Sequence, residues 1–339
     1  MVSAYHEDCN LNHNLPFKIK PDVIAYAKNS SRAGPTDSRY AEVIVEFKWN
    51  SQDNPFGDVS VKVDENGKPF RSFVHTTNKS YDTLGQITGY IAAQLGAQYR
   101  THAYSVLIVK DEARILRWDR SGTIVTEPIS YDKSHYLADF FYRYGLAPPQ
   151  LRGIDITVSV PKPRVASAAR DALGLGPAAS LLCVPISGRV FVVESPAATP
   201  YTPPGRATQG SRAWDVKTKK LAYLKDTWRV NLEEFEPEGK IYRTLMKHKV
   251  KNIARCLISA DIGGSNYHAT KTQNYVKFPW ACATIAKLIP HRHYRLALNI
   301  AGRHLTEFKS SCEMVRGVRD ALIGKQVTSS ATMALADIM

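Results

Sequence analysis

The sequence contains no Cys-x-x-Cys pair. Its five cysteines, Cys9, Cys183, Cys256, Cys282 and Cys312, are scattered. That spacing speaks against a zinc site and predicts reduced, packed thiols. No apolar run reaches the roughly 20 residues of a membrane helix, so no membrane partner is expected. Met1 to Asn14 is polar, carries Glu7 and Asp8, and lacks a basic start followed by an apolar core. It does not read as a secretory leader, and the expected location is cytoplasmic or nuclear. Internal repeats are missing as well.

What is present is an ordinary globular balance. The 339 residues suffice for two domains, and 44% apolar against 22% charged residues supports a sizeable core rather than disorder. The formal charge of +14 predicts anionic partners, nucleotide or nucleic acid. The basic clusters are short, Lys217, Lys219 and Lys220, then Lys247, Lys249 and Lys251. They fall short of a dense nucleic-acid-binding arm, and a solvated basic surface is the plainer alternative.

The first half alternates β and α signals. Pro21 to Tyr26 and Glu42 to Trp49 read as strands, the second rich in β-branched and aromatic residues. Asp82 to Gln98 reads as a helix, with Leu84, Ile87, Tyr90, Ile91 and Leu95 on one stripe. Tyr104–Lys110, Ala113–Trp118 and Thr123–Pro128 follow as strands, the last two joined by a turn at Asp119 to Gly122. A short aromatic helix, His135 to Tyr144, closes this part. From Ala147 the chain becomes rich in Pro, Ala and Ser, and Ser195 to Pro204, with four prolines, reads as a loop. The expected organisation is an α+β or α/β two-domain chain. Residues 1–147 form a mixed sheet flanked by helices, and 148–204 connect. Residues 205–325 form an antiparallel sheet with one helix, whose folded part begins near Gly188, and 326–339 form an unstructured tail.

Two constellations carry chemistry. In the second half, Gly205-Arg206-Ala207-Thr208-Gln209-Gly210 is a glycine-bearing turn, Lys225 lies on a later strand, and Glu238 opens a helical stripe with Ile241, Tyr242 and Leu245. A lysine of this kind holds nucleotide phosphates, and a helix glutamate fixes the lysine by an ion pair. Glu233, Glu234 and Glu236 compete with Glu238 for that role. The wording of the segments is more specific: Leu224 to Arg229, Glu238 to Tyr242, Asn252 to Ala254, His293 to Leu298, Gly302 to Phe308 and Ser310 to Leu322. With Leu84 to Tyr90 and Gln150 to Asp155 upstream, they resemble the fungal-type protein kinase family from about residue 20 to 325.

The resemblance implies a kinase N-lobe and hinge, ATP and Mg²⁺ as cofactors, phosphoryl transfer to protein as the activity, and Gly205, Gly210, Lys225 and Glu238 as nucleotide-binding residues. The sequence departs from the pattern at Ala207, where the family's turn usually has its middle glycine, and at Lys251, where proline is common. Beyond Gly324 no HRD-like Asp, catalytic-loop Asn or DFG-like Asp appears, so a chain truncated before the catalytic loop and lacking kinase activity is expected.

The first half holds the other constellation. Asp22 stands at the head of one strand, Glu46 and Lys48 on the next, and Gln86 and Tyr90 one turn apart on the helix. Two carboxylates suit Mg²⁺, and a lysine on the same strand face as Glu46 could activate water beside it. The pattern resembles the PD-(D/E)xK nuclease superfamily, one branch of which carries a Gln-x-x-x-Tyr helix. The resemblance implies a restriction-endonuclease-like fold, with Asp22 and Glu46 as metal ligands and Lys48, Gln86 and Tyr90 as catalytic residues. Of the acids preceding Pro21, only Glu7 and Asp8 could add a ligand. The plainer reading is solvated charges at strand ends and Tyr90 in the core. A Mg²⁺-dependent nuclease or nucleic-acid-binding domain, and a non-catalytic scaffold, are therefore the alternatives to the kinase reading.

Overall fold

The computed structural model describes residues 2–4, 19–28, 37–196, 202–264, 268–278, 280–282, 288–302 and 307–336, with side chains left undescribed for 2–4 and 324–336. Glu7, Asp8 and the Arg303 to Thr306 part of the expected hinge lie outside these residues. The chain forms two compact units, each assembled from separate stretches. The first comprises Met1–Ile156, Ser195–Gln209 and Tyr267–His293, and the second Thr157–Glu194, Gly210–Asn266 and Tyr294–Met339. The linear division at residues 147 and 204 thus gives way to an interleaved one.

The first unit contains strands β1 (Val2–Ala4), β2 (Val23–Tyr26), β3 (Ala41–Lys48), β4 (Phe56–Val63) and β5 (Pro69–Val74), then helix α1 (Asn78–Ala97). Strands β6 (Ala103–Val109), β7 (Glu112–Asp119), β8 (Gly122–Val125) and β9 (Ile129–Ser130) follow, with helix α2 (Tyr136–Leu146). The main sheet runs β1-β2-β3-β6-β7-β8, with β9 against β7, while β4 and β5 pair separately as a hairpin. Strands β3 and β6 are parallel, and α1 is the crossover between them. Their near-continuous apolar runs have a direct cause. On one face Ile44 and Leu107 pack with Ile87, Ile91 and Leu95 of α1. On the other, Val43, Val45, Val106 and Ile108 pack with Leu137, Phe140 and Tyr144 of α2. A strand buried on both faces has no reason to alternate.

One polar network ties this core together. Glu42, 4% exposed, meets Arg100 at 3.0 Å and Arg152 at 2.6 Å, and accepts a hydrogen bond from the Tyr144 hydroxyl at 2.8 Å. The hairpin β4–β5 carries no strong sequence signal, since most of its residues are partly or fully exposed and it alternates poorly.

The second unit contains helix α3 (Pro163–Leu173), strands β10 (Leu181–Ile186), β11 (Arg189–Glu194), β12 (Gln209–Asp215) and β13 (Leu221–Val230), helix α4 (Glu238–Lys247), strands β14 (Cys256–Asp261) and β15 (His291–Leu298), and helix α5 (Ser311–Ala336), although Gln209 of β12 and His291 to His293 of β15 are counted with the first unit. Its sheet runs β10-β11-β12-β13-β15-β14, with α4 joining β13 to β14. Three of these elements fall within the stretch read as a connection, residues 148–204. Helix α3 starts with Pro163 in its first turn, ends on Gly174 in the left-handed region (φ 69°), and buries Ala166, Ala169 and Leu173. Strands β10 and β11 turn at Ser187 and Gly188, both at positive φ, a two-residue hairpin. A second departure is α5, which continues to Ala336 through the tail expected to lack structure. Up to Leu322 its Val315, Val318 and Leu322 are exposed. Among the described residues no helix is long and apolar enough to cross a membrane.

Candidate functional site

Side chains alternate along β13, so Lys225 shares a face with Tyr223 while Leu224 and Asp226 point to the other. Tyr223 packs in one cluster with Tyr242 of α4 and with Tyr294 and Leu296 of β15. Lys225 therefore faces α4. Its Nζ lies 2.6 Å from Glu238 Oε2, in the first turn of that helix. The competition among the glutamates is resolved: Glu236 pairs with Lys240 instead, and Glu238 takes the lysine.

Two further features place this pair. A Cβ at Gly239 would stand 2.0 Å from Ser259 Oγ and 2.6 Å from the Tyr294 hydroxyl, so only glycine lets α4 seat this closely. The Gly239 N–H donates to that hydroxyl at 2.9 Å, giving an otherwise unsatisfied helix N-terminal donor a partner. Behind the strand, Asp226 Oδ2 accepts from Arg295 Nε at 2.7 Å, and the Arg295 side chain is wholly buried. Arg295 Nη1 also donates to Thr157 Oγ1 at 2.9 Å and to the Pro185 carbonyl at 3.2 Å. Arg229 grips both oxygens of Asp261 at 2.8 Å. Asp226, Arg229, Gly239 and Arg295 all lie within the segments that carry the kinase resemblance, but only three-dimensional pairing reveals what they do.

The glycines behave differently from the expectation. Gly205 (φ 106°) donates its N–H to the Arg120 carbonyl at 2.9 Å, inside the first unit. A Cβ at Gly210 would meet the Tyr223 hydroxyl at 1.8 Å, so Gly210 serves close packing on β13. Ala207 adopts φ 43°, a left-handed conformation that costs a non-glycine residue about 1–2 kcal/mol. Of the four expected nucleotide residues, Lys225 and Glu238 meet, while the Gly205 N–H donates to the Arg120 carbonyl and Gly210 lies close against the Tyr223 hydroxyl.

Residues 71–335 match the family model described as Fungal protein kinase. The chain belongs to the fungal protein kinase family. Neither curated proteins nor solved structures yield a match. The family match spans the Lys225–Glu238 pair and starts after Asp22, Glu46 and Lys48. It lends no support to the nuclease resemblance of the N-terminal region or to a restriction-endonuclease-like fold.

The N-terminal constellation is nevertheless partly assembled. The β2–β3 register pairs Val23 with Val45, which carried one residue further sets Asp22 across from Glu46. Asp22 Oδ2 accepts from the Phe47 N–H at 2.8 Å. Glu46 is 3% exposed, and its Oε1 lies 2.5 Å from Lys48 Nζ. Its Oε2 is buried with no hydrogen-bond partner among the described residues. Burial pushes the Glu46 carboxyl up, the Lys48 hydrogen bond opposes this, and the charge of Asp22 adds to the rise. Tyr90 is buried on α1 and donates to the Lys20 carbonyl at 2.9 Å. Burial, then the charges of Glu46 and Asp22, raise its hydroxyl pKa. Gln86 is exposed, and no described contact brings it to this group.

Proposed function

We propose that the second unit anchors the phosphates of ATP through Lys225, which Glu238 holds in place. The observation that carries this reading is the 2.6 Å ion pair between the strand lysine and the helix glutamate. It sits in a sheet whose order β11-β12-β13-β15-β14, with α4 between β13 and β14, suits a kinase N-lobe. Membership of a protein kinase family makes ATP the natural ligand. The phosphate-covering role of the glycine turn is not part of the proposal, because Gly205 and Gly210 are engaged elsewhere. Titration of the full chain with a fluorescent ATP analogue tests the anchor. Lys225→Ala removes a charge-assisted contact worth about 1.5–3 kcal/mol, so affinity falls by about tenfold or more. Unchanged affinity in a folded Lys225→Ala variant, or no binding by the wild type, refutes it.

A second reading concerns the first unit, and the unpartnered Glu46 Oε2 favours it. A buried carboxylate oxygen without a partner costs about 1–3 kcal/mol or more, and a divalent cation shared with Asp22 would offset that cost. Lys48, 2.5 Å from Glu46, would then stand beside any metal-bound water. A Mg²⁺-dependent, nuclease-like activity on nucleic acid follows as a proposal. Incubation of labelled DNA and RNA with the full chain and Mg²⁺ tests it. Cleavage that survives in Lys48→Ala, or no cleavage with either substrate, rejects it.

A further inference from the structure

Asp155, His268 and His293 are distant in sequence and carry no recognisable spacing motif. In the first unit, one ligand atom from each lies within 4.8 Å of the others. The arrangement is set by backbone, not by long side chains. His293 is the third residue of β15, and its N–H donates to the His268 carbonyl at 2.9 Å. Ala269 bridges Arg292, and Thr270 exchanges hydrogen bonds with His291, donating to its carbonyl at 3.0 Å and accepting from its N–H through Oγ1 at 2.9 Å. The two imidazoles thus project from neighbouring, ladder-bonded segments. Asp155 is fixed by its N–H to the Tyr99 carbonyl at 3.0 Å, beside the Arg100–Ile154 bridge.

The distances suit a small tetrahedral cation. A metal–nitrogen bond of about 2.0–2.1 Å implies ligand–ligand edges of roughly 3.3–3.4 Å in a tetrahedron. The two Nδ1 atoms stand 3.3 Å apart, and Asp155 Oδ2 lies 3.9 Å from His293 Nδ1. Asp155 and His293 are 2% and 3% exposed, whereas His268 is partly exposed. A buried aspartate with two imidazoles supplies one negative charge and two nitrogen donors, a set that selects Zn²⁺-class cations over Mg²⁺ or Ca²⁺. A fourth ligand, water, would approach from the side of the partly exposed His268.

We propose that Asp155, His268 and His293 form a three-ligand site for a divalent transition cation of the zinc class. The four described cysteines stay outside it, so its expected signature is thiolate-free. The site is separate from the Asp22–Glu46 pair, which offers oxygen ligands and suits a harder cation. Zn²⁺ and Co²⁺ are the probes. The full chain, treated with chelator and then reloaded, should bind one Zn²⁺ that His268→Ala and Asp155→Asn each weaken by about tenfold or more, while Cys312→Ser, at an exposed cysteine outside the site, leaves it unchanged. The Co²⁺ form should show tetrahedral d–d absorption without a thiolate charge-transfer band. His268 is the informative position, because its partial exposure makes loss of folding a small concern, and circular dichroism of the metal-free variant checks that point. Zn²⁺ binding unaffected by both ligand variants, a thiolate band in the Co²⁺ spectrum, or no Zn²⁺ bound by the wild type would each overturn the proposal and leave the triad as an internal hydrogen-bonded cluster.

Discussion

Each unit of this chain holds a lysine–glutamate pair at its candidate site, and the two are built in opposite ways. Glu46 and Lys48 are two residues apart on β3, and strand alternation alone puts them on one face, 2.5 Å apart. Lys225 and Glu238 are thirteen residues apart, on β13 and α4, and meet at 2.6 Å only because the sheet and helix are assembled. The burial differs too. The Glu46 side chain is 4% exposed and leaves one oxygen unpartnered, whereas both members of the second pair are about one-fifth exposed. A buried, half-satisfied carboxylate stores a cost that a ligand can relieve. A half-open ion pair stores little and is better placed to meet a solvent-borne anion.

The largest effect is expected where the second pair depends on its support. Asp226→Ala leaves the wholly buried Arg295 without its carboxylate, a loss of about 3–5 kcal/mol. Chemical denaturation, with hydrogen exchange followed in β13 and β15, should show the second unit opening early while α1 stays protected. Equal loss of protection in both units would mean that the pair does not act locally.

Next in size is the first pair's response to metal. If Glu46 and Asp22 share a cation, Mg²⁺ or Mn²⁺ at a hundredfold excess over Kd should stabilise the chain by about 2.7 kcal/mol. Glu46→Gln and Asp22→Asn should each abolish the gain, and Lys48→Ala should retain it. The pH dependence has a defined sign. Because the Glu46 carboxyl is raised mainly by burial, the folded chain takes up its proton before the unfolded chain does. Its metal-free contribution to stability therefore improves as pH falls through the raised pKa and worsens as pH rises through it. Glu46→Gln should flatten that part of the profile, and metal should reverse its slope. A wild-type profile identical to that of Glu46→Gln, with or without Mg²⁺, would remove the site.

How legible these sites were follows from the same contrast. The β3 strand, the α1 stripe and the Glu46–Lys48 pairing follow local periodicity, and the sequence carries that information within a few residues. The Lys225–Glu238 pair was legible only through resemblance, since four neighbouring glutamates fit the spacing equally well. Helix α3 was hidden by a run of Pro, Ala and Ser whose proline sits at the one helical position that tolerates it. Gly205 and Gly210 looked like a phosphate turn because their spacing is visible, while Arg120, whose carbonyl takes the Gly205 N–H, is far along the chain, and Tyr223, which stands against Gly210, comes from the next strand. Asp155, His268 and His293 left no signal at all, because 113 residues and a strand ladder separate the first two.

Gly239 gives a smaller, more local test. A methyl group there meets Ser259 Oγ and the Tyr294 hydroxyl, and overpacking of this kind costs about 1–3 kcal/mol. Gly239→Ala should shift the start of α4 and lengthen the Lys225–Glu238 contact. Nucleotide affinity should fall as far as in Glu238→Gln, although no charge has been removed. A Gly239→Ala variant with lowered stability but unchanged affinity would separate the seat of α4 from the anchor.

The smallest stability effect is expected for the Lys225–Glu238 pair itself. Both side chains lie partly in solvent, at 22% and 23% exposure, where ion pairs contribute about 0–1 kcal/mol. A double-mutant cycle with Lys225→Met and Glu238→Gln should give a coupling energy in that range for unfolding. The same cycle measured on ATP-analogue binding should give a larger coupling. Without Glu238, Lys225 must be ordered anew by the nucleotide, and without Lys225, Glu238 has nothing to position. The Glu46–Lys48 cycle should behave in reverse, with a large coupling in stability and none in nucleotide binding, because Lys48 is the hydrogen-bonded partner of a buried carboxyl. If instead the Lys225–Glu238 coupling is large for unfolding and absent for binding, the pair is a structural clasp between β13 and α4, and the phosphate anchor has to be sought elsewhere in the second unit.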